Sequence, residues 1–159
     1  MGEGLIRTIR SSCVAVAVIP LFLAGCGGGA RRVSGPATSH DPSELVAWVK
    51  VAPVAFHAGQ TTQIEVGVRN PTTHPIVVAF IPACISYDVK DAGGIPVAPN
   101  SHCIGLALPF EMAAGQIISA QLTWDGTTNG MPASPGEYRV ESYGLPRSAT
   151  PVAIQILAR

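Results

Sequence analysis

The sequence predicts an all-β sandwich, and three observations indicate it. The 159 residues include 17 glycines and 14 prolines, and charged side chains make up only 13% of the chain. This composition, without long helical patterns, is typical of short strands joined by turns. Apolar and polar residues also alternate with a period of two, and turn-rich connections separate the alternating segments at the spacing of a two-sheet sandwich.

The first 25 residues predict a secretory signal peptide. Arg7 and Arg10 precede an apolar segment that runs from about Cys13 to Leu23. The segment has only about 11 residues, whereas a helix needs roughly 20 to cross the hydrocarbon core of a membrane. We therefore expect a cleaved export signal rather than a permanent transmembrane helix.

The residues Leu-Ala-Gly-Cys at positions 23–26 resemble the lipobox of bacterial lipoproteins. In that family the cysteine thiol, a strong nucleophile near neutral pH, receives diacylglycerol, and small neighbours leave room for the modifying enzymes. The resemblance implies that residues 1–25 are removed together with Cys13. Cys26 would then attach an extracytoplasmic protein to the bacterial cell membrane through covalent lipid. A buried cysteine, or a signal peptide cleaved elsewhere, is the alternative.

Residues 26–43 predict the lipidated cysteine followed by a flexible tether. From Gly27 to about Pro42 the chain is mostly Gly, Ala, Ser, Thr, Pro and Arg, which cannot form a core. Residues 44–159 remain as one domain, long enough to bury a core of its own. Loss of the signal peptide leaves this chain near electrical neutrality, so nothing in its charge suggests nucleic acid as a partner.

Seven or eight strands are predicted in the domain. In the clearest of them Ile64, Val66 and Val68 fall on one face and polar residues fall on the other, as in a strand with one dry and one wet side. In chain order the predicted strands are LVAWVKV near 45–51, TQIEVGVR near 62–69, IVVAFI at 76–81, ISYDVKD at 85–91, a short segment around 104–108, IISAQLTWD near 117–125, EYRVES at 137–142 and PVAIQILAR at 151–159.

Four runs between residues 64 and 143 carry a family resemblance. These runs, VRNPTTHPIVVAF, YDVKDAGG, AAGQIISAQLTWD and PGEYRVESY, resemble in sequence and order the BsuPI-type domain of bacterial intracellular proteinase inhibitors. That resemblance implies an immunoglobulin-like antiparallel β-sandwich and, through the family name, inhibition of proteases. This chain departs from the family in carrying an export signal. The matched positions are Asn70, Tyr87, Asp88, Gly115, Gln116, Trp124, Asp125, Pro135, Gly136 and Tyr138.

The matched residues have structural interpretations that require no activity. Tyr138, just after Pro135 and Gly136, stands where a tyrosine corner would place its ring in the core and bond its hydroxyl to backbone. Trp124 would fill the sandwich, and Asn70 would end a strand. The resemblance therefore indicates a fold rather than a reaction, and it assigns no reactive loop.

Cys84 and Cys103 predict a disulfide. They are the thiols that remain if Cys13 is discarded and Cys26 carries lipid, and an oxidising compartment favours their pairing. The bridge would close a loop of about 20 residues and contribute about 3 kcal/mol in the chain-entropy model. Two buried free thiols, or a soft-metal site that includes His102, are the alternatives, although no CxxC spacing supports a metal.

The loop between the two cysteines predicts a recognition surface for a protein partner. A disulfide would pin this loop at both ends. Its candidate recognition side chains are Asp88, Asp91, Asn100 and His102.

Neither catalysis nor a cofactor or metal is predicted. The histidines could assemble a zinc site or a general base with Asp88 or Glu111, but no HExxH, GxSxG or paired-carboxylate spacing is present. The predicted function is a lipid-anchored, non-catalytic binding module of the cell envelope, proteinase-inhibitor-like by resemblance. A structural or assembly component that uses its sheet edges is the alternative, and a metal-dependent enzyme is a remote third. The histidines are His40, His57, His74 and His102.

Overall fold

A computed structural model describes residues 37–99, 103 and 105–158. In this part of the chain there are two short 3₁₀ turns, Pro42–Glu44 and Pro82–Cys84, and twelve strands. The strands are β1 (Val46–Ala52), β2 (Ala55–His57), β3 (Thr62–Arg69), β4 (Ile76–Phe80), β5 (Ser86–Asp91), β6 (Pro96–Pro99), β7 (Leu108–Met112), β8 (Ile117–Trp124), β9 (Thr127–Thr128), β10 (Met131–Pro132), β11 (Gly136–Tyr143) and β12 (Val152–Leu157).

The strands form the predicted all-β sandwich. One sheet has the order β1-β3-β8, and the other has the order β2-β12-β11-β5-β6. Two smaller ribbons, β4 with β7 and β9 with β10, complete the described part of the chain. Every strand pairing is antiparallel except that of β2 with β12, which is parallel. Within the described residues, no helix has the length and hydropathy that a membrane-spanning helix requires.

The predicted strand around residues 104–108 is displaced in the structure. Strand β7 runs from Leu108 to Met112 and pairs with β4. The apolar run before Leu108 suggested the earlier position, but the pairing with β4 is what places the strand. Strands β2, β6, β9 and β10 were not predicted, because segments of two to four residues are too short to show a period of two.

The core lies between the two sheets and follows the predicted alternation. Ile64, Val66 and Val68 on β3 are fully buried. Val89 on β5 and Val140 on β11 are equally buried in the other sheet. Burying each such side chain stabilises the fold by about 1.5–3 kcal/mol, so this alternation fixes which face of each strand turns inward.

Aromatic side chains fill one end of the core. The ring of Trp124 lies edge-on to Phe56, with centroids 5.8 Å apart, and to Tyr138, with centroids 6.0 Å apart. Trp124 Nε1 donates to the carbonyl of Thr127 over 2.9 Å. The hydroxyl of Tyr138 donates to the carbonyl of Ser134 over 2.8 Å, which is the arrangement of a tyrosine corner.

Tyr87 joins the two sheets through a hydrogen bond. It extends from β5, is 5% exposed, and donates its hydroxyl to the carbonyl of Thr123 on β8 over 2.6 Å. Burial, with a smaller effect of the Asp125 charge, raises the pKa of Tyr87 to about 12. Because folding favours the protonated phenol, its stabilising contribution is complete below the ordinary pKa of about 10. The contribution is lost as pH rises through about 12.

We therefore expect one of the three tyrosines to ionise near pH 12 while the protein is folded. Ultraviolet absorbance titration should show this step, and Tyr87→Phe should remove it. Tyr143→Phe is the control and should leave the step in place. Persistence of the step in Tyr87→Phe would contradict the assignment.

Candidate functional site

The structure places two of the predicted recognition residues on a β-hairpin. Asp88 lies within β5, and Asp91 ends that strand at the turn into β6. Asp91 Oδ1 accepts a hydrogen bond from the Ile95 backbone N–H over 2.9 Å, so this carboxylate closes the turn. Asn100 and His102 lie outside the described residues. The described part of the loop is therefore largely regular strand, and the carboxylate of Asp91 is engaged in its turn.

Asp88 belongs to a charged group on the outer face of the five-stranded sheet. It lies opposite Glu141 in the pairing of β5 with β11. Lys90 Nζ donates to Glu141 Oε2 over 2.6 Å. The Glu141 hydrogen bond, followed by the charges of Glu141 and Asp88, raises the pKa of Lys90 despite its partial desolvation. The group is a cross-strand charge network of the sheet.

Cys84 and Cys103 form the predicted disulfide, with Cα atoms 5.4 Å apart. Cys84 ends the second 3₁₀ turn, one residue ahead of β5, and Cys103 is exposed. Gly144 packs against this point, since a Cβ added to it would lie within 2.9 Å of the Cys84 carbonyl carbon. The bridge therefore lies at the base of the hairpin and beside the loop that follows β11.

A concave apolar surface lies next to this disulfide, along the edge of β4. We call it the β4 groove. It encloses about 480 Å³, and a second depression of about 230 Å³ continues it past Ala79 and Ala107 to Cys84 and Cys103. The groove is lined by His40, Pro42, Val77, Val78, Ala79, Ala107, Pro109 and Pro146.

The floor of the β4 groove is a partly unpaired strand edge. Val77 donates its N–H to the Ser39 carbonyl over 2.8 Å, and Ser39 donates to the Pro75 carbonyl over 3.0 Å. Backbone groups of alternate residues point to the same side of a strand, so Ala79 directs its N–H and C=O to that side too. They have no backbone partner within the described ranges. After Ser39, the segment that leads to Pro42 no longer runs beside β4. The edge of β4 at Ala79 therefore has no neighbouring strand on this side in the described residues.

Hydrogen bonds and one ion pair connect the walls of the groove to one another. Arg147 Nη1 donates to the carbonyls of Ser43 and Leu45, the latter over 2.7 Å. Glu44 lies 2.9 Å from His74 Nε2 and also accepts a hydrogen bond from the Ser39 hydroxyl. The segment that carries Pro42 is thereby tied both to the loop that carries Pro146 and to the turn before β4.

Asp41 caps the 3₁₀ turn that borders the groove. Its Oδ1 accepts the N–H of Ser43 over 2.8 Å, and the hydrogen bonds from Ser43 hold the pKa of Asp41 below its usual value. This segment falls within the predicted tether at 26–43. The part of it from Ser39 onward is hydrogen-bonded to the sandwich.

The remaining histidines do not converge. His40 lines the β4 groove, His57 ends β2, and His74 pairs with Glu44. In the described part of the chain, no group of three or more His, Cys, Asp or Glu side chains could hold a metal ion. The predicted lipidation site, Cys26, lies outside the described residues.

The β4 groove was not predicted from the sequence. Its lining residues come from four separate segments, and no local pattern connects them. One signal was available: Pro109 stands in an apolar strand, and proline within a sheet is confined to edges and bulges. That position suggests a strand edge, though not what lies beside it.

Comparison with known proteins gives similarity of structure alone. No protein-family model and no curated protein sequence matches the chain. Among solved structures, it is similar to the alkylpurine DNA glycosylase AlkC of Pseudomonas fluorescens, with 12% identity and a TM-score of 0.47, over 72% of this chain and 31% of that one. It is also similar to a β-glucosidase of Erythrobacter marinus, with 11% identity and a TM-score of 0.45, over 71% of this chain and 15% of the enzyme.

A β-glucosidase of Listeria innocua has 14% identity and a TM-score of 0.42, over 71% of this chain and 16% of the enzyme. The chain thus spans less than a third of the length of each of these proteins. Similarities of this size carry no information about activity or ligand.

Proposed function

We propose that the chain is a lipid-anchored cell-envelope protein whose sandwich is a non-catalytic binding module. In this proposal the β4 groove receives an extended, apolar segment of a protein partner. The observation that carries it is the combination at one place of apolar walls and a strand edge with open backbone groups.

Strand addition supplies the physical basis for binding in the groove. A segment laid beside β4 could bond the N–H and C=O of Ala79 and so extend the β4–β7 ribbon. Every second side chain of that segment would face the groove beside Ala79, toward Pro42 and Pro146. Backbone bonds would give affinity for any extended chain, and the apolar walls would select chains with apolar side chains at alternate positions.

The groove walls favour binding because they lose little freedom on contact. Pro42, Pro109 and Pro146 have no rotamer entropy to lose. Arg147 holds the segment of Pro42 against the loop of Pro146 before any partner arrives. A surface held in its binding shape avoids the ordering cost that flexible loops incur on association.

The lipobox-like residues at 23–26 support the location, since acylation of Cys26 would hold the module at the membrane surface. The resemblance to the BsuPI-type domain supports a protease as one class of partner. The proposal of a non-catalytic role rests on the lack of any catalytic motif in the sequence. The alternative is a structural or assembly component of the envelope, which would make its contacts through sheet edges by strand addition.

Site-specific photo-crosslinking in native membranes tests this proposal. A photoreactive amino acid in place of Ala79 should give a discrete product with a different protein. The same amino acid in place of Ala114, also exposed but in the turn before β8, is the matched control and should give none.

A groove-filling substitution completes the experiment. Ala107→Arg puts a long charged side chain at an exposed position on the groove wall and should abolish the Ala79 product. Ala114→Arg should leave that product unchanged. Equal products from both photoreactive positions, no product from Ala79, or a product that survives Ala107→Arg would refute binding in the β4 groove.

A further inference from the structure

Strand β8 is a long outer strand that lacks a neighbour on one side. It pairs with β3 over its whole length, from Trp124 opposite Thr62 to Ile117 opposite Arg69, without a bulge. On its other side no strand pairs with it among the described residues. Its side chains alternate between exposed and half-buried positions, and Ile117 at its start is 58% exposed.

Two hydrogen bonds show which backbone groups of β8 point away from β3. Asn70 donates its N–H to the Gln116 carbonyl over 2.9 Å, so Gln116 points toward β3. By alternation Ser119 and Gln121 point outward, and Thr123 does so too. The Thr123 carbonyl accepts its bond from the Tyr87 hydroxyl of the other sheet, which agrees with this direction.

The open part of the β8 edge therefore consists of the N–H and C=O groups of Ile117, Ser119 and Gln121. These groups have no backbone partner in the described ranges. At Thr123 the outward carbonyl is already occupied, because it accepts the hydrogen bond of the Tyr87 hydroxyl. What remains is a template for one further strand.

The usual protections of a sheet edge are missing from β8. Proteins guard exposed edges with proline, charge or bulges. Strand β6 begins and ends with proline and pairs with β5 through an irregular register, and β7 contains Pro109. Strand β8 reads IISAQLTW, which includes no charged residue and no proline. A long, regular and unguarded edge of this kind favours association with another strand.

We propose that β8 pairs antiparallel with β8 of a second copy of this chain, about a two-fold axis at Ala120. In that register Ser119 lies opposite Gln121 of the other copy, and the two exchange N–H···O=C bonds. Ile118 lies opposite Leu122 on the inner face. On the outer face Ile117 lies opposite Thr123, whose carbonyl already accepts the Tyr87 hydroxyl, so the backbone bonds between the copies are those of Ser119 and Gln121. The two three-stranded sheets become one continuous six-stranded sheet.

A second copy fits this edge because the strand is complementary to itself. The two nearest residues on each side of Ala120 match in polarity, Ser119 with Gln121 and Ile118 with Leu122. Since the strand carries no charge, two identical copies meet without like-charge repulsion. A two-fold contact also closes on itself and leaves no further β8 edge, so the product is a dimer rather than a filament.

The contact is small and its strength depends on local concentration. A single strand pairing lies at the low end of specific interfaces, which bury about 1,200 Å² or less. Confinement of two copies to one membrane surface would raise their effective concentration and favour the pairing. The β4 groove involves other strands, so dimerisation through β8 can fail without affecting groove binding, and the reverse also holds.

Charge complementation in the full-length chain tests the proposal. Two differently tagged copies are expressed together and crosslinked in intact membranes, where both copies share one surface. Co-purification is then measured after solubilisation. Wild-type copies should co-purify. Ser119→Lys with Gln121→Lys in both copies should reduce co-purification by about tenfold, because like charges then face each other. The same two positions changed to Glu in one copy and Lys in the other should restore it.

The matched control places the same charges on a strand with two neighbours. Ala153→Lys with Gln155→Lys puts two exposed lysines on β12, between β2 and β11, and should leave co-purification unchanged. Restoration by the Lys and Glu pair also shows that both variants fold. The proposal is overturned if wild-type copies fail to co-purify, if the β12 control loses association equally, or if opposite charges restore nothing.

Discussion

Replacing Asn70 with alanine is expected to lower the free energy of unfolding by about 3–5 kcal/mol. The side chain is fully buried. Its Nδ2 donates to the carbonyls of His74, Met112 and Ala113 over 2.9, 3.0 and 3.1 Å. Its Oδ1 accepts from the N–H and the hydroxyl of Thr72 over 3.0 and 2.7 Å. Alanine would leave these buried polar groups without their partner, at about 1–3 kcal/mol each where no other partner replaces it.

The loss is expected to be large because Asn70 connects distant parts of the chain. It shapes the turn between β3 and β4 and holds that turn to the end of β7. Denaturant titration of the variant, with the slope compared with that of the wild type, measures the effect. Asn70→Asp keeps the acceptor for Thr72 but removes the donor to the three carbonyls, so it should destabilise at least as much.

Thr72→Ala is the control for the turn itself. It deletes one hydroxyl that accepts from and donates to neighbours within the turn, and it should cost about 1 kcal/mol. A similar loss for Thr72→Ala and Asn70→Ala would show that the contacts to Met112 and Ala113 contribute little. A loss below about 0.5 kcal/mol for Asn70→Ala would contradict the predicted role.

The sequence predicted the end of β3 near Asn70 but not the distant contacts of its amide. Alternation of apolar and polar residues with a period of two shows which face of a strand is exposed to solvent, because one face of β3 packs on the core and the other faces water. This local pattern cannot indicate that the Asn70 amide bonds to the carbonyl of Met112, which lies 42 positions later in the chain. The same limit explains β7, whose position is set by pairing with β4 rather than by its own apolar residues.

Candidate sites were harder to predict than strands, for a related reason. The disulfide was predicted from the number of thiols and an expected oxidising compartment, because Cys84 and Cys103 would be left to pair if Cys13 were discarded and Cys26 carried lipid. The β4 groove brings together Pro42, Ala79 and Pro146, which no local pattern links. Asp91 was predicted for recognition because it is charged and lies between the cysteines. Its hydrogen bond to Ile95 appears only when the hairpin is known.

The open edge of β8 was partly visible in the sequence. Its lack of charge and proline can be read directly from IISAQLTW. The lack of charge and proline favours association only when the strand lies at the edge of a sheet. Which strands lie at the edge depends on pairing between distant segments, which the local sequence does not show. A central strand with the same residues would be fully paired and would offer nothing to a second copy.

The largest change in lipid modification and membrane attachment is expected for Cys26→Ser. A serine hydroxyl is a far weaker nucleophile near neutral pH than a thiol and cannot form the thioether to diacylglycerol. We expect metabolic labelling with a radioactive fatty acid to mark the wild-type protein and not the variant. The variant should also keep residues 1–25, because the lipobox resemblance implies that removal of this segment depends on the cysteine that follows it.

Cys13→Ser is the matched control, because this cysteine lies in the same apolar segment and would be discarded with the signal peptide. It should leave both the label and the mature mass unchanged, as measured by mass spectrometry. If Cys26→Ser were still labelled and processed, the lipid anchor would be refuted. Two or three acyl chains, at about 0.8 kcal/mol for each buried methylene, hold a protein to a bilayer where one chain is marginal. Loss of a single sulfur atom is therefore expected to remove the whole stable attachment, while the sandwich at residues 44–159 keeps its fold.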